Sequence, residues 1–244
     1  MCTFAHERIN KNESMRESLF LYSAHMKMAD IIAADPGLLS IFKRLNIRLG
    51  FGDATAADIC KRYKLSANLF LMICNMYSFS DYVPIADNLK ESDTKKIIDY
   101  LKTSHNYYVQ NDFPRLHKNI HLMMEKCDDV NNRTINKFYD DYQDELDKHF
   151  SYEEKIVFPY IEELLSGRRG DYSMDKFKRR HSNVNEKLGD LKNIIIKYLP
   201  DKYGSNVRYD VLQDIYRIEK DLLAHTMVED KLLIPLVSKK ERDE

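Results

Sequence analysis

Apolar positions follow helical spacing through four long stretches, about Glu91 to Lys126, Asn132 to Leu165, Ser173 to Tyr198 and Tyr209 to Lys239, the pattern of helices with one buried face. Turn and capping residues separate them: Asp128-Asp129 with Asn131-Asn132, Ser166-Gly167 with Gly170-Asp171, and Pro200 with Gly204-Ser205. Four helices of this length with short connections predict an up-down-up-down bundle. Pro114, Pro159 and Pro235 fall inside or near the ends of three of them. A proline lacks an amide N–H, so each is expected to kink or terminate its helix.

Ahead of the bundle, from Met28 to about Tyr82, the spacing predicts several short helices. Asp35-Pro36 opens one, the Gly50-Phe51-Gly52-Asp53 turn breaks it, Thr55 caps the next, and Ser66 caps a helix through Phe79. Tyr82-Val83-Pro84 has the character of a linker. The expected organisation is a polar leader over residues 1–28, a small helical domain over 29–83 and the bundle over 90–240.

Composition narrows this to an all-α protein. At 43% hydrophobic the chain can fill a core, but 7 Gly and 6 Pro supply too little turn chemistry for many short strands. With 38 Lys+Arg against 39 Asp+Glu, there is no net field to attract nucleic acid or an anionic membrane. Apolar runs such as Leu69 to Cys74 fall far short of the ~20 residues of a spanning helix, and the N-terminus lacks a signal-peptide core. A cytoplasmic location is expected. Cys2, Cys60, Cys74 and Cys127 form no C-x-x-C pair, which argues against a zinc ribbon, a redox dithiol or a disulfide framework.

The candidate chemistry lies in a repeat. HFSYEEKIVFPYI at 149–161 and HTMVEDKLLIPLV at 225–237 share a pattern of His, three residues, Glu, an acidic residue and an apolar run into Pro. On a helix, residues i and i+4 share one face about 6 Å apart, so His149 with Glu153 and His225 with Glu229 can each converge on one ligand. His105 and His181 lie on the first and third helical stretches, and they are separated by 76 residues, as are His149 and His225. In an antiparallel bundle all six side chains can meet at one level. Imidazoles with carboxylates suit iron, and two Glu spanning a pair of ions with four His in terminal positions is carboxylate-bridged dinuclear chemistry.

One histidine on a helix is usually a surface or core residue, and one His-x-x-x-Glu pair is commonly a simple hydrogen bond. The set carries more weight because Ile156-Val157-Phe158 and Leu232-Leu233-Ile234 place both pairs on core-facing helices, where unpartnered charge is costly. The H-E-x-x-H motif of zinc proteases is absent. His117 and His121 form an i,i+4 pair, but His117 is about 18 Å along the helix from His105. They are expected at the surface, and His6 and His25 carry no partner pattern.

From roughly Met28 to Lys239 the chain resembles the hemerythrin-like di-iron proteins, and among them the group called Repair of Iron Centers, the iron–sulfur cluster repair proteins. His105 with Asp112-Phe113-Pro114-Arg115-Leu116 resembles the family's first-helix motif. His149-x-x-x-Glu153-Glu154 ending in Phe158-Pro159, His181, and His225-x-x-x-Glu229 ending in Pro235 are similar to the other three. The resemblance implies two non-haem iron ions, oxo- or hydroxo-bridged, held by His105, His149, Glu153, His181, His225 and Glu229; manganese suits the same ligands. Oxygen-carrying hemerythrins have an extra His, so the present set looks like the repair group. The segment around Asn46-Ile47, Thr55 and Cys60 resembles that group's small N-terminal domain, whose Cys-Cys pair is replaced here by Leu49-Gly50.

What the resemblance implies is repair of iron–sulfur clusters, or handling of iron and nitric oxide, under nitrosative and oxidative stress. Its implied partners are iron–sulfur proteins, with a homodimer left open. Two alternatives stand beside it: a sensor of oxygen, nitric oxide or iron that signals through the N-terminal domain, and an iron-storage protein.

Overall fold

The structure, a computed structural model, describes residues 21–125, 128–168, 170–180, 186–200 and 205–243. The chain divides into two compact units between Tyr82 and Val83. Among the described residues there is no strand.

The first unit holds α1 (Met28–Ala34), α2 (Leu38–Arg44), α3 (Ala56–Tyr63) and α4 (Ala67–Ser78). The starts of α3 and α4 follow local side-chain chemistry. Asp58 N–H donates to the Thr55 hydroxyl, and Thr55 N–H donates back to the Asp58 carboxylate, which satisfies two amides that the first turn leaves open. Leu69 N–H donates to Ser66 Oγ at 3.3 Å. The helix expected at Asp35-Pro36 starts slightly later, at Leu38, because the Asp35 carboxylate accepts from Gly37 N–H and holds the preceding turn. Gly50 and Gly52 supply the positive φ of the predicted turn, at 91° and 58°.

The end of the expected leader belongs to this unit. Tyr22 is buried; its N–H donates to Asn75 Oδ1 at 2.8 Å, and Asn75 Nδ2 donates to the Tyr22 carbonyl. A buried amide side chain thus does for this segment what a strand partner would. Replacing Ser66 with alanine removes the cap of α4 and is expected to cost ~1 kcal/mol. A lower urea midpoint with an unchanged slope is the readout; an unchanged midpoint would count against the cap.

The second unit is the bundle. Its first helix runs α5 (Glu91–Tyr107), a π-helical turn Tyr108–Asp112, and α6 (Phe113–Met124). The second runs α7 (Asp129–Tyr152), a π turn Glu153–Val157, and α8 (Phe158–Leu165). The third stretch contains α9 (Met174–Arg180) and α10 (Glu186–Lys197). The fourth runs α11 (Ser205–Val228), a π turn Glu229–Leu233, and α12 (Ile234–Asp243). The second helix starts before Asn132 because the Asp128 carboxylate accepts from both Val130 N–H and Asn131 N–H.

The three prolines do not end their helices, which continue past each of them. In each case the residue before proline reaches five positions back: Phe113 N–H to the Tyr108 carbonyl, Phe158 to Glu153, Ile234 to Glu229. A wider turn moves the preceding carbonyls away from the pyrrolidine ring, so helical geometry resumes beyond it.

α6 packs on α7 and α11, and α10 packs on the same two helices, giving a ring in which each helix touches two neighbours. Tyr108, Phe113, Leu116, Tyr139, Leu146 and Ile215 are among the residues of the shared core. Two buried hydroxyls pin the first helix to others: Tyr139 donates to the Phe113 carbonyl at 2.8 Å, and Tyr108 to the Asp221 carbonyl at 3.3 Å. Beside them, Asp112 is buried and accepts from Arg217 at 2.9 Å.

Candidate metal centre

Two π turns place the carboxylates. Glu153 and Glu229 are each the first residue of such a turn, one helical turn beyond His149 and His225. His105 sits in the last turn of α5, just before the third π turn. The three helices bring His105, Glu153, His225 and Glu229 together, all buried, with one donor atom from each lying within 4.8 Å of the others.

The contacts converge. His105 Nε2 lies 3.1 Å from Glu153 Oε2 and 3.2 Å from His225 Nε2. His225 Nε2 in turn is 3.1 Å from Glu229 Oε1. His149 stands outside that tight group yet touches it, with Nε2 3.1 Å from the other oxygen of Glu153, Oε1. Glu153 therefore faces two histidines with its two oxygens. His181 lies outside the described residues.

Electrostatics make this a place for a cation. Burial, then the charge of Glu229 and a hydrogen bond shared with it, push the Glu153 carboxyl well above its usual range. Burial lowers His105 to about 4, so its ring is neutral at neutral pH and offers a lone pair. His105 Nδ1 donates to Glu154 Oε1 at 2.9 Å, because a carboxylate can only accept, and this leaves Nε2 unprotonated. The cluster then holds more lone pairs than protons. A bound cation removes both the lone-pair excess and the carboxylate repulsion, so the residues fit a metal.

Aromatic side chains close the site. The His105 ring stacks on Phe150 at 4.2 Å with planes 16° apart, and Phe158 stacks on it at 5.9 Å. Tyr108 meets His225 edge-on at 5.7 Å. None of Phe150, Phe158 and Glu154 was expected to touch His105. The paired acids Glu153-Glu154 were visible in the sequence, but nothing in their spacing says that the second reaches another helix.

The remaining histidines stay apart. His117 and His121 are exposed, with rings stacked at 6.4 Å, and His117 also stacks on Tyr139. His25 is exposed, and His6 lies outside the described residues. Cys60 and Cys74 are free and buried; burial pushes the Cys60 thiol up to about 11, so it is not a thiolate at neutral pH. Cys2 and Cys127 fall outside the described residues. No helix among the described residues is long and apolar enough to cross a membrane.

A buried His/Glu cluster shared among bundle helices defines a cation-binding bundle, and the comparison with known families agrees. The family model of the hemerythrin HHE cation binding domain matches residues 96–237. This is more than half of the chain, which belongs to that family. No curated protein matches the chain.

Proposed function

We propose that the bundle binds two iron ions and that the protein handles iron and nitric oxide under nitrosative and oxidative stress, supplying iron to damaged iron–sulfur clusters. The observation that carries the dinuclear reading is Glu153, whose two oxygens lie 3.1 Å from different histidines, His105 and His149. A carboxylate so placed can span two ions. Glu229 would hold the ions beside Glu153, and His105, His149, His181 and His225 would supply the imidazole ligands, His181 on the sequence pattern alone.

Bound iron would supply a ferrous–ferric couple and a position for a diatomic ligand. The chain supplies the rest. His105 presents a neutral lone pair, Phe150 and Phe158 cover its ring against water, and two facing carboxylates supply the negative charge that holds cations. Cys60 is buried and protonated, and Leu49-Gly50 carry no thiol. These facts favour iron and nitric oxide handling at the metal over a transfer that needs a thiolate.

Elemental analysis of anaerobically purified protein should give about two irons per chain, with oxo-bridged ferric absorption appearing on exposure to air. Nitric oxide added to the ferrous protein should change the spectrum, and a damaged iron–sulfur protein should regain its cluster when the loaded protein is added. Zinc alone, or no metal after reconstitution with iron, would overturn the proposal and leave a signalling module as the better account.

A further inference from the structure

His149 and His225 each have a glutamate four residues on, along their own helix. His105 does not: Val109 stands there, and Leu101 stands four residues before it. Whatever orients the His105 ring must come from elsewhere. Phe150 and Phe158 stack on it and fix its plane, but an apolar stack cannot choose between a ring and the same ring turned over, which would exchange nitrogens for carbons.

Glu154 can make that choice. It extends from the second helix and accepts from His105 Nδ1 at 2.9 Å, while Nε2 of the same ring lies 3.1 Å from Glu153. His105 is 2% exposed and the Glu154 side chain 45%, so the bond runs from the buried cluster to the rim. Adjacent carboxylates divide the work: Glu153 faces the centre, and Glu154 faces the back of a histidine contributed by another helix.

We propose that Glu154 is the positioning residue of the centre, fixing the His105 ring in the Nδ1–H tautomer with Nε2 toward the metal. The metal part of this rests on the cation-binding reading given above. Outer hydrogen bonds of this kind set ligand orientation and typically account for ~10–100-fold in metal affinity.

Wild-type protein, Glu154→Ala and Glu154→Gln, titrated anaerobically with iron(II) against a competing chelator, test the metal part. ¹⁵N NMR of the imidazoles in the metal-free proteins tests the tautomer independently. Glu154→Ala should bind iron(II) ~10–100-fold more weakly and lose the single Nδ1–H tautomer of His105. Glu154→Gln keeps an oxygen that can accept the bond and should recover most of both. Should the alanine variant not fold, Glu154→Asp, one methylene shorter, should show the same two losses. Unchanged affinity or an unchanged tautomer in the alanine variant, with wild-type protein that binds iron, overturns the role of Glu154 and leaves the metal site standing. Wild-type protein that takes up no iron overturns the metal site and the metal part together, and the NMR comparison alone then decides whether Glu154 fixes the ring.

Discussion

Replacing Glu153 with glutamine is expected to abolish metal binding and, at the same time, to make the metal-free protein more stable at neutral pH. The first effect follows from the loss of a carboxylate that faces two histidines, and it should exceed the ~10–100-fold that outer hydrogen-bond partners typically account for. The second follows from the electrostatics of the cluster's own side chains. Burial and the neighbouring Glu229 raise the Glu153 carboxyl well above the ordinary glutamate value of 4.5. Between that value and its raised one, the folded chain holds a proton that the unfolded chain has released. Stability of the metal-free protein therefore falls as pH rises through this window. A glutamine has nothing to ionise, so the variant should lose less stability over the same range. Thermal melts of both metal-free proteins from pH 4 upward would show it; parallel curves would mean that the cluster is relaxed or hydrated enough to carry its charge.

Arg217→Leu should be the most damaging change away from the centre. Arg217 donates to Asp112 at 2.9 Å and lies 3.8 Å from Asp214, which Arg115 also engages at 2.6 Å. Asp112 is 1% exposed and closes the π turn of the first helix. Removing its cation leaves a buried carboxylate with poor compensation, which typically costs 3–5 kcal/mol; the guanidinium is about one-third exposed, so about 3 kcal/mol is expected. Adding Asp112→Leu to Arg217→Leu should recover part of the loss, because an apolar pair of similar volume avoids the desolvation cost. Chemical denaturation of the two variants would decide it. A double variant less stable than Arg217→Leu would mean that Asp112 contributes chiefly through other contacts.

The all-α class was legible because the helical spacing persists through long stretches that contain few glycines. The caps at Thr55 and Ser66 were legible for the same local reason, a short polar side chain facing an open amide. The helix starts at Asp129 and Ser205 came earlier than the pattern suggested, since each first turn holds a single apolar residue, Val130 or Val207, too little to mark a helical face. The continuation past Pro114, Pro159 and Pro235 was not legible from α-helical rules, which admit no five-residue return. In the centre, the His-x-x-x-Glu spacing made the pairing of His225 with Glu229 and of His149 with Glu153 visible in advance. Glu154 was hidden because its partner is 49 residues away on another helix.

The π turns have a geometric consequence for the whole bundle. Each adds about one residue to a turn, so the helix beyond it is rotated by roughly 100° from the course an uninterrupted α-helix would take. The donor-bearing half and the far half of each such helix are thus two rods keyed out of phase by a single residue. A one-residue deletion inside Tyr108–Asp112, Glu153–Val157 or Glu229–Leu233 would have to bring the halves back into phase. The deletion would then swing one apolar face away from the bundle axis while leaving the composition of the helix almost unchanged. Chain length in these three windows is therefore as much a part of the metal centre's specification as the identity of its histidines.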